Sequence, residues 1–121
     1  MLDCLFVGFG GFVGTVLRYL FGLLPVKTTH GFPLTTLGIN VLGAFAIGLI
    51  AAAAAKNNAL SPRMVLMLKV GVCGGFTTFS TFAYETASLI NGGSGTLAAA
   101  YIALSVSLSI LAVCAAQLVA S

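Results

Sequence analysis

The chain has 121 residues, of which 60% are hydrophobic and 6% are charged, and this composition lies far outside the range of soluble globular domains. Its net charge of +3 comes from basic residues dispersed singly, without the polybasic cluster that nucleic acid or an anionic lipid surface would favour. We therefore expect an all-α integral membrane protein.

Four membrane spans are predicted, within one membrane domain that covers residues 1–121. A helix needs about 20 residues to cross the roughly 30 Å hydrocarbon core, so this length fits four spans joined by short loops. The predicted spans are 2–24, 35–55, 63–90 and 97–120, with the third broken near 74–78. The first segment carries Asp3 instead of a basic start and lacks a small-residue cleavage site, so we expect a retained helix.

Capping and turn residues mark the ends of these spans. Pro25 closes the first span. Thr35 and Thr36 are candidate N-caps of the second, and Ser61 followed by Pro62 is typical of an N-cap and first-turn proline for the third. Small residues at four-residue spacing favour close helix packing: Gly10 and Gly14; Ala44, Gly48 and Ala52; Gly71 and Gly75.

The basic residues give little preference for one orientation in the membrane. Lys56, Arg63 and Lys69 lie toward one side, and Arg18 and Lys27 lie toward the other. Because an excess of lysine and arginine on one side sets orientation, this small difference leaves insertion in either direction open. A dual-topology, antiparallel homodimer is therefore a hypothesis, and a second subunit would help to enclose a conduction path.

The segment 71–85, GVCGGFTTFSTFAYE, interrupts the third span with paired glycines and several hydroxyl residues. Non-helical backbone at membrane depth persists only where protein buries it or where it lines a wet cavity. Gly74 and Gly75 can free carbonyls, and on the axis of an antiparallel dimer these would form an oxygen cage for a hard cation such as sodium. The alternative is a kinked helix whose threonines hydrogen-bond back to its own carbonyls.

Three other residues near mid-membrane have two interpretations each. Phe79 and Phe82 share one face of the half-helix after the break, where they either pack as core or present positive ring edges to an anion. Asn40 places a primary amide in mid-span, which is costly unless its N–H donors are used. It serves either an ion path or a hydrogen bond between helices.

The fourth span carries a polar stripe, because Tyr101, Ser105 and Ser109 are four residues apart. The stripe is either an ion track or a packing seam, with Tyr101 near the membrane interface. Arg18 and Glu85 are charges within predicted spans and are therefore functional candidates. For Arg18, near the end of its span, the alternative is that it snorkels to the interface.

The sequence contains no enzyme motif. It has no nucleophile with an adjacent base, no paired carboxylates and no phosphate-binding loop. Cys4, Cys73 and Cys114 are far apart and lack metal-ligand spacing, so neither disulfides nor a transition-metal site is expected.

Three segments resemble the Fluc (CrcB-type) fluoride channels: GVCGGFTTFSTFAYE, TLGINVLG around Asn40, and GGFVGTVLRY near the start. The resemblance covers essentially the whole chain. It implies an antiparallel, dual-topology homodimer with a structural sodium ion at its centre, held by the backbone carbonyls of Gly74 and Thr77. It also implies two fluoride pathways, lined here by Asn40, Phe79, Ser80, Thr81, Phe82, Tyr101, Ser105 and Ser109. Arg18 would lie toward the vestibule, and Glu85 matches the acidic position of the family.

The function implied by the resemblance is passive, selective export of fluoride across a prokaryotic inner (plasma) membrane, which protects the cell from fluoride toxicity. A small multidrug-type cation/proton antiporter of dual topology is the main alternative. That mechanism needs a carboxylate in the first span, where this chain has only the terminal Asp3. A non-transporting membrane scaffold is the third candidate, although a scaffold gains nothing from Asn40 or from a broken span.

Overall fold

The chain folds into helices in the computed structural model, which describes residues 1–26, 28–56 and 60–121. The elements are α1 (Leu2–Gly22), a 3-10 turn (Thr29–Gly31), α2 (Leu34–Lys56), α3 (Pro62–Leu66), a π-helical segment (Met67–Cys73), α4 (Gly74–Phe76), α5 (Phe79–Asn91) and α6 (Gly95–Val119). These described residues include four helical segments long and apolar enough to cross a membrane, the third being the bent run Pro62–Asn91. The prediction of an all-helical membrane protein with a broken third span is confirmed.

The ends of the spans lie close to their predicted positions. Ser61 caps the third span as predicted, because its hydroxyl oxygen accepts a hydrogen bond from the Met64 amide at 3.1 Å. Lys27, which entered the count of charges on each side of the membrane, lies outside the described residues.

The prediction that Thr35 and Thr36 cap the second span is wrong. α2 already begins at Leu34, and the Leu37 amide donates to the Pro33 carbonyl at 3.2 Å. The two threonines therefore lie inside the first turn of α2 and not at its N-cap. The Thr36 hydroxyl instead donates to Glu85 Oε2 at 3.0 Å.

The third span leaves helical geometry at Thr77 and Thr78, which are extended residues between α4 and α5. The prediction that Gly74 and Gly75 supply the non-helical backbone is wrong, because both lie within α4 and Gly74 has helical angles of φ −64° and ψ −36°. The glycine at position 75 serves packing instead. A Cβ atom there would lie 2.7 Å from the Gly11 carbonyl oxygen of α1.

Glycines also let the other helices approach closely. A Cβ at Gly71 would lie 2.8 Å from the Val7 carbonyl oxygen, so α1 and the π-helical segment meet backbone to backbone. A Cβ at Gly48 of α2 would lie 2.8 Å from the Ala116 Cβ of α6. The predicted role of the glycine spacing in helix packing is confirmed at these positions.

An ion pair joins the beginnings of the first and third spans. Arg63 Nε donates to Asp3 Oδ1 at 2.8 Å, and the guanidinium also lies 5.6 Å from the centroid of the Phe6 ring. Both charged side chains are largely exposed, so the pair contributes little to stability. It does place these two charges at the same end of the bundle.

Replacing Gly14 with Ala tests the packing of α1 on the third span. The added methyl group would overlap the Val72 carbonyl oxygen, and we expect a loss of about 1–3 kcal/mol from overpacking. The measurement is the thermal midpoint of the purified protein in detergent. Gly8→Ala is the matched control, because a Cβ at Gly8 in the same helix meets no atom within 4 Å. Equal midpoints for the two variants would contradict this account of the glycines.

Candidate functional site

Asn40 of α2 satisfies the main chain at the break in the third span. Its Nδ2 donates to the Thr78 carbonyl at 3.0 Å, and its Oδ1 accepts from the Thr78 amide at 2.8 Å. One side-chain amide therefore pairs both main-chain groups of an extended residue. Because unpaired main-chain groups are costly in hydrocarbon, this pairing stabilises the break. An amide nitrogen carries two hydrogens, so Asn40 keeps one further N–H.

Two further side chains bind polar groups near the break. Thr78 Oγ1 accepts from the Thr81 amide at 3.2 Å, which caps α5, and it donates to Thr81 Oγ1 at 3.0 Å. Arg18 Nε of α1 donates to the Gly75 carbonyl at 3.1 Å. The Arg18 side chain thus reaches toward the break.

Three carbonyls at the break are left without hydrogen-bond donors. Those of Gly74, Phe76 and Thr77 accept no hydrogen bond in the part of the chain that the structure describes. In a continuous helix, Gly74 and Thr77 would accept from the amides of Thr78 and Thr81. Both amides donate to side-chain oxygens instead. Carbonyl oxygens without donors are suitable ligands for a hard cation.

Thr77 is held in place by two contacts at the break. Its Oγ1 donates to the Cys73 carbonyl at 2.8 Å, which is the back-bonding pattern considered for a simple kink. Its methyl group occupies the space beside Gly43, where a Cβ would overlap Thr77 Cγ2. The span is nevertheless more than kinked, because Thr77 and Thr78 are both extended.

An open cleft of about 380 Å³ borders the break, and we call it the serine cleft. The predicted site residues along its wall are Asn40, Gly74, Thr77, Phe79, Phe82, Ser105 and Ser109. Ser105 is 7% exposed, and its hydroxyl has no hydrogen-bond partner among the residues that the structure describes. Because buried hydroxyl groups normally have partners, this wall offers a polar group to an occupant of the cleft.

A second cleft, of about 390 Å³, lies on the other side of the break, and we call it the arginine cleft. Its wall carries the guanidinium group of Arg18 and the hydroxyl residues Thr15, Tyr19, Thr35, Thr36, Thr78 and Thr81. Arg18 and Thr81, two predicted site residues from different spans, thus line the same cleft. A cleft with one cation and several hydroxyl donors suits an anion.

The two predicted phenylalanines differ in their exposure. The Phe79 side chain is 79% exposed, whereas Phe82 is half-buried and its ring centroid lies 5.0 Å from that of Tyr101. The Phe79 and Phe82 rings are 5.6 Å apart and tilted by 50°. Phe82 therefore packs as core on one side while it lines the serine cleft on the other.

Glu85 is bound by two hydroxyl groups. Its Oε2 accepts from Thr36 Oγ1 at 3.0 Å, and its Oε1 accepts from the Tyr101 hydroxyl at 2.9 Å. Tyr101 is completely buried, so its hydroxyl and ring contact protein and not lipid. The carboxylate ties α2, α5 and α6 together, and its hydroxyl partners balance the cost of its burial.

Ser80 is the one predicted site residue that stands apart in this subunit, since it is exposed and lines neither cleft. Sequence reasoning missed Thr36, Gly43 and Thr78. The position of Gly43, three residues after Asn40, places it on the same helix face and was the available signal for a close approach. The groups that bind Thr36 and Thr78 come from distant parts of the chain and leave no local pattern.

The chain is similar to known proteins over most of its length. The family model described as CrcB-like protein, Camphor Resistance (CrcB), matches residues 5–117. A protein of Chlorobaculum tepidum named fluoride-specific ion channel FluC is 47% identical over 103 residues, covering 85% of this chain and 82% of that protein. The protein of the same name from Clostridium perfringens is 43% identical over 118 residues, covering 97% of this chain and 92% of that protein.

Replacing Asn40 with Leu tests the pairing at the break. The variant leaves the amide and the carbonyl of Thr78 without partners, and each should cost about 1–3 kcal/mol. We expect a lower thermal midpoint in detergent than for the unchanged protein. Ser109→Ala is the control, since Ser109 lines the same cleft but makes no hydrogen bond in the described residues. A midpoint as high as that of the control would refute the pairing.

Proposed function

The chain belongs to the CrcB family, and from this membership we propose that it is a fluoride-specific ion channel. Its relatives are named as channels, so the chain is a transport protein and not an enzyme. Four apolar spans make it a multi-pass membrane protein. The proposed role is passive export of fluoride down its electrochemical gradient, which protects the cell from fluoride toxicity.

Family membership favours this function over the cation/proton antiporter. The contacts of Asp3, the one acidic residue in α1, also argue against an antiporter. Asp3 lies in the first turn of that helix and pairs with Arg63 at the end of the bundle. A proton-coupled carboxylate would need to lie within the span, where its protonation could alternate with binding of a cation.

The observation that carries the proposal is the unpartnered hydroxyl of Ser105 on the wall of the serine cleft. Fluoride is small and strongly hydrated, so a pore must replace its water with hydrogen-bond donors. The second N–H of Asn40 and the hydroxyl of Ser109 lie along the same wall. We propose these three groups as successive donors to the ion, continuing the polar stripe of α6 that begins at Tyr101.

The aromatic rings supply the remaining contacts in this proposal. The edge of an aromatic ring carries partial positive charge and can stabilise an anion without a fixed cation. Phe79 and Phe82 both line the serine cleft, where such edges would replace water around fluoride. A narrow, partly apolar path of this kind would reject larger halides by size. Ser80 and Thr81, beside the two rings in sequence, are proposed as further donors.

We propose sodium as the cation at the break, held by the carbonyls of Gly74 and Thr77. Both carbonyls lack hydrogen-bond donors in the described residues, and carbonyl oxygens are the ligands that hard cations prefer. Two carbonyls are too few for a full coordination shell. A second subunit related by two-fold symmetry would present the same pair again and raise the number of ligands to about four.

The exposure of these groups supports an antiparallel homodimer as the functional unit. Gly74 and Phe79 are both exposed in the single subunit, although each lines the serine cleft. A channel wall open to lipid cannot hold a hydrated ion, so a second copy is proposed to close it. The near balance of basic residues between the two sides permits the opposite insertion that this requires. The bacterial relatives favour the inner (plasma) membrane as its location.

Ion efflux from liposomes tests the proposed channel. We expect rapid, valinomycin-dependent release of fluoride, read with an electrode, and little release of chloride under the same gradient. Ser105→Ala should slow fluoride release by about tenfold, which is the effect of losing one hydrogen bond to an ion. Ser107→Ala on the same helix is the matched control, because Ser107 is exposed and lines neither cleft. Reconstituted dimers that release no fluoride would rule out the channel.

Cation exchange tests the proposed sodium site separately. The purified protein should show a higher thermal midpoint, and a larger dimeric fraction by light scattering, in sodium than in potassium or N-methylglucamine at equal ionic strength. Binding to the folded state alone stabilises it by about 2.7 kcal/mol at a hundredfold excess over the dissociation constant. Identical midpoints and masses in all three salts would contradict the site.

A further inference from the structure

The serine cleft and the arginine cleft approach each other at a single residue. Of all the residues that line them, only Thr78 belongs to both walls. The two clefts together span the region from Ser109 on α6 to Arg18 on α1. Thr78 is therefore the residue at which the walls of the two clefts meet.

The main chain of Thr78 is fixed at this point, whereas its side chain can turn. Asn40 binds both its amide and its carbonyl, so neither group is available to an ion. The hydroxyl group makes its contacts with one neighbour only, accepting from the Thr81 amide and donating to Thr81 Oγ1. A hydroxyl hydrogen can rotate about its C–O bond without any movement of the backbone.

We propose that the Thr78 hydroxyl is the donor that transfers fluoride between the two clefts, an inference that rests on the proposed channel function. Its oxygen lies 3.0 Å from Thr81 Oγ1, and rotation about the C–O bond would present its hydrogen to an ion in either cleft. The Thr81 hydroxyl donates to no group in the described residues, so its own hydrogen serves the arginine cleft. Fluoride would thus pass from one hydroxyl to the next.

The walls on either side of Thr78 show what kind of ion fits. The serine cleft holds the buried Ser105 hydroxyl without a partner, which indicates a polar occupant on that side. The arginine cleft holds the Arg18 guanidinium, which attracts an anion on the other side. Neither lining includes a carboxylate that would repel an anion on the way. Thr78 is therefore a crossing point between two anion-compatible spaces.

A pair of substitutions separates transfer from helix capping. Serine and aspartate at position 78 both cap a helix well, but only serine has a hydrogen to donate. We expect Thr78→Ser to release fluoride from liposomes within about threefold of the unchanged rate. Thr78→Asp should slow release by about tenfold or more, because a donor is lost and a negative charge is gained. Thermal midpoints and elution volumes should be alike for the two variants.

Thr78→Val provides a second test if the aspartate variant does not fold, since valine has nearly the shape of threonine without the hydroxyl. The variant should lose some stability because valine cannot cap α5, and its rate of fluoride release per folded dimer should also fall about tenfold. A folded Val or Asp variant with the unchanged rate would overturn the inference. That outcome leaves the channel proposal intact as long as the unchanged protein itself conducts fluoride and rejects chloride.

Discussion

The polar main chain of two extended residues has to be satisfied inside an apolar membrane domain, and the rest of the structure depends on how this is done. Thr77 and Thr78 interrupt the third span, and hydrocarbon offers no partner to unpaired main-chain groups. Asn40 pairs both groups of Thr78, and Arg18 pairs the Gly75 carbonyl. The helices α1 and α2 are thereby tied to the break, which in turn fixes the clefts on either side of it.

The polar groups of the subunit divide into those with partners and those without. Glu85 is bound by Thr36 and Tyr101, which secures the packing of three helices. Ser105 and the carbonyl of Gly74 have no partners among the described residues, and both lie on the serine cleft. Groups with partners hold the scaffold, and groups without partners are the ones available to ions. This division is the physical basis of the proposed fluoride path and sodium site.

Local patterns predicted the spans well and the break less accurately. Apolar length gave four helices, and the Ser61 cap was found where the Ser-Pro pair indicated it. Gly74 and Gly75 were expected to form the break because glycine permits unusual backbone angles, but Gly75 serves contact with α1 instead. The break lies at Thr77 and Thr78, where Asn40 of α2 supplies hydrogen bonds that the main chain of Thr78 loses.

The sequence by itself determined the membrane setting, the number of spans, the start of the third span at Pro62 and the set of candidate site residues. These features follow from composition and from spacing along one helix. The tertiary structure alone decided which of those residues are paired. Contacts between distant segments place Thr78 on the walls of both clefts and make Tyr101 a buried partner of Glu85. Hydrogen-bond partners that lie far apart in the chain leave no periodic signal in the sequence.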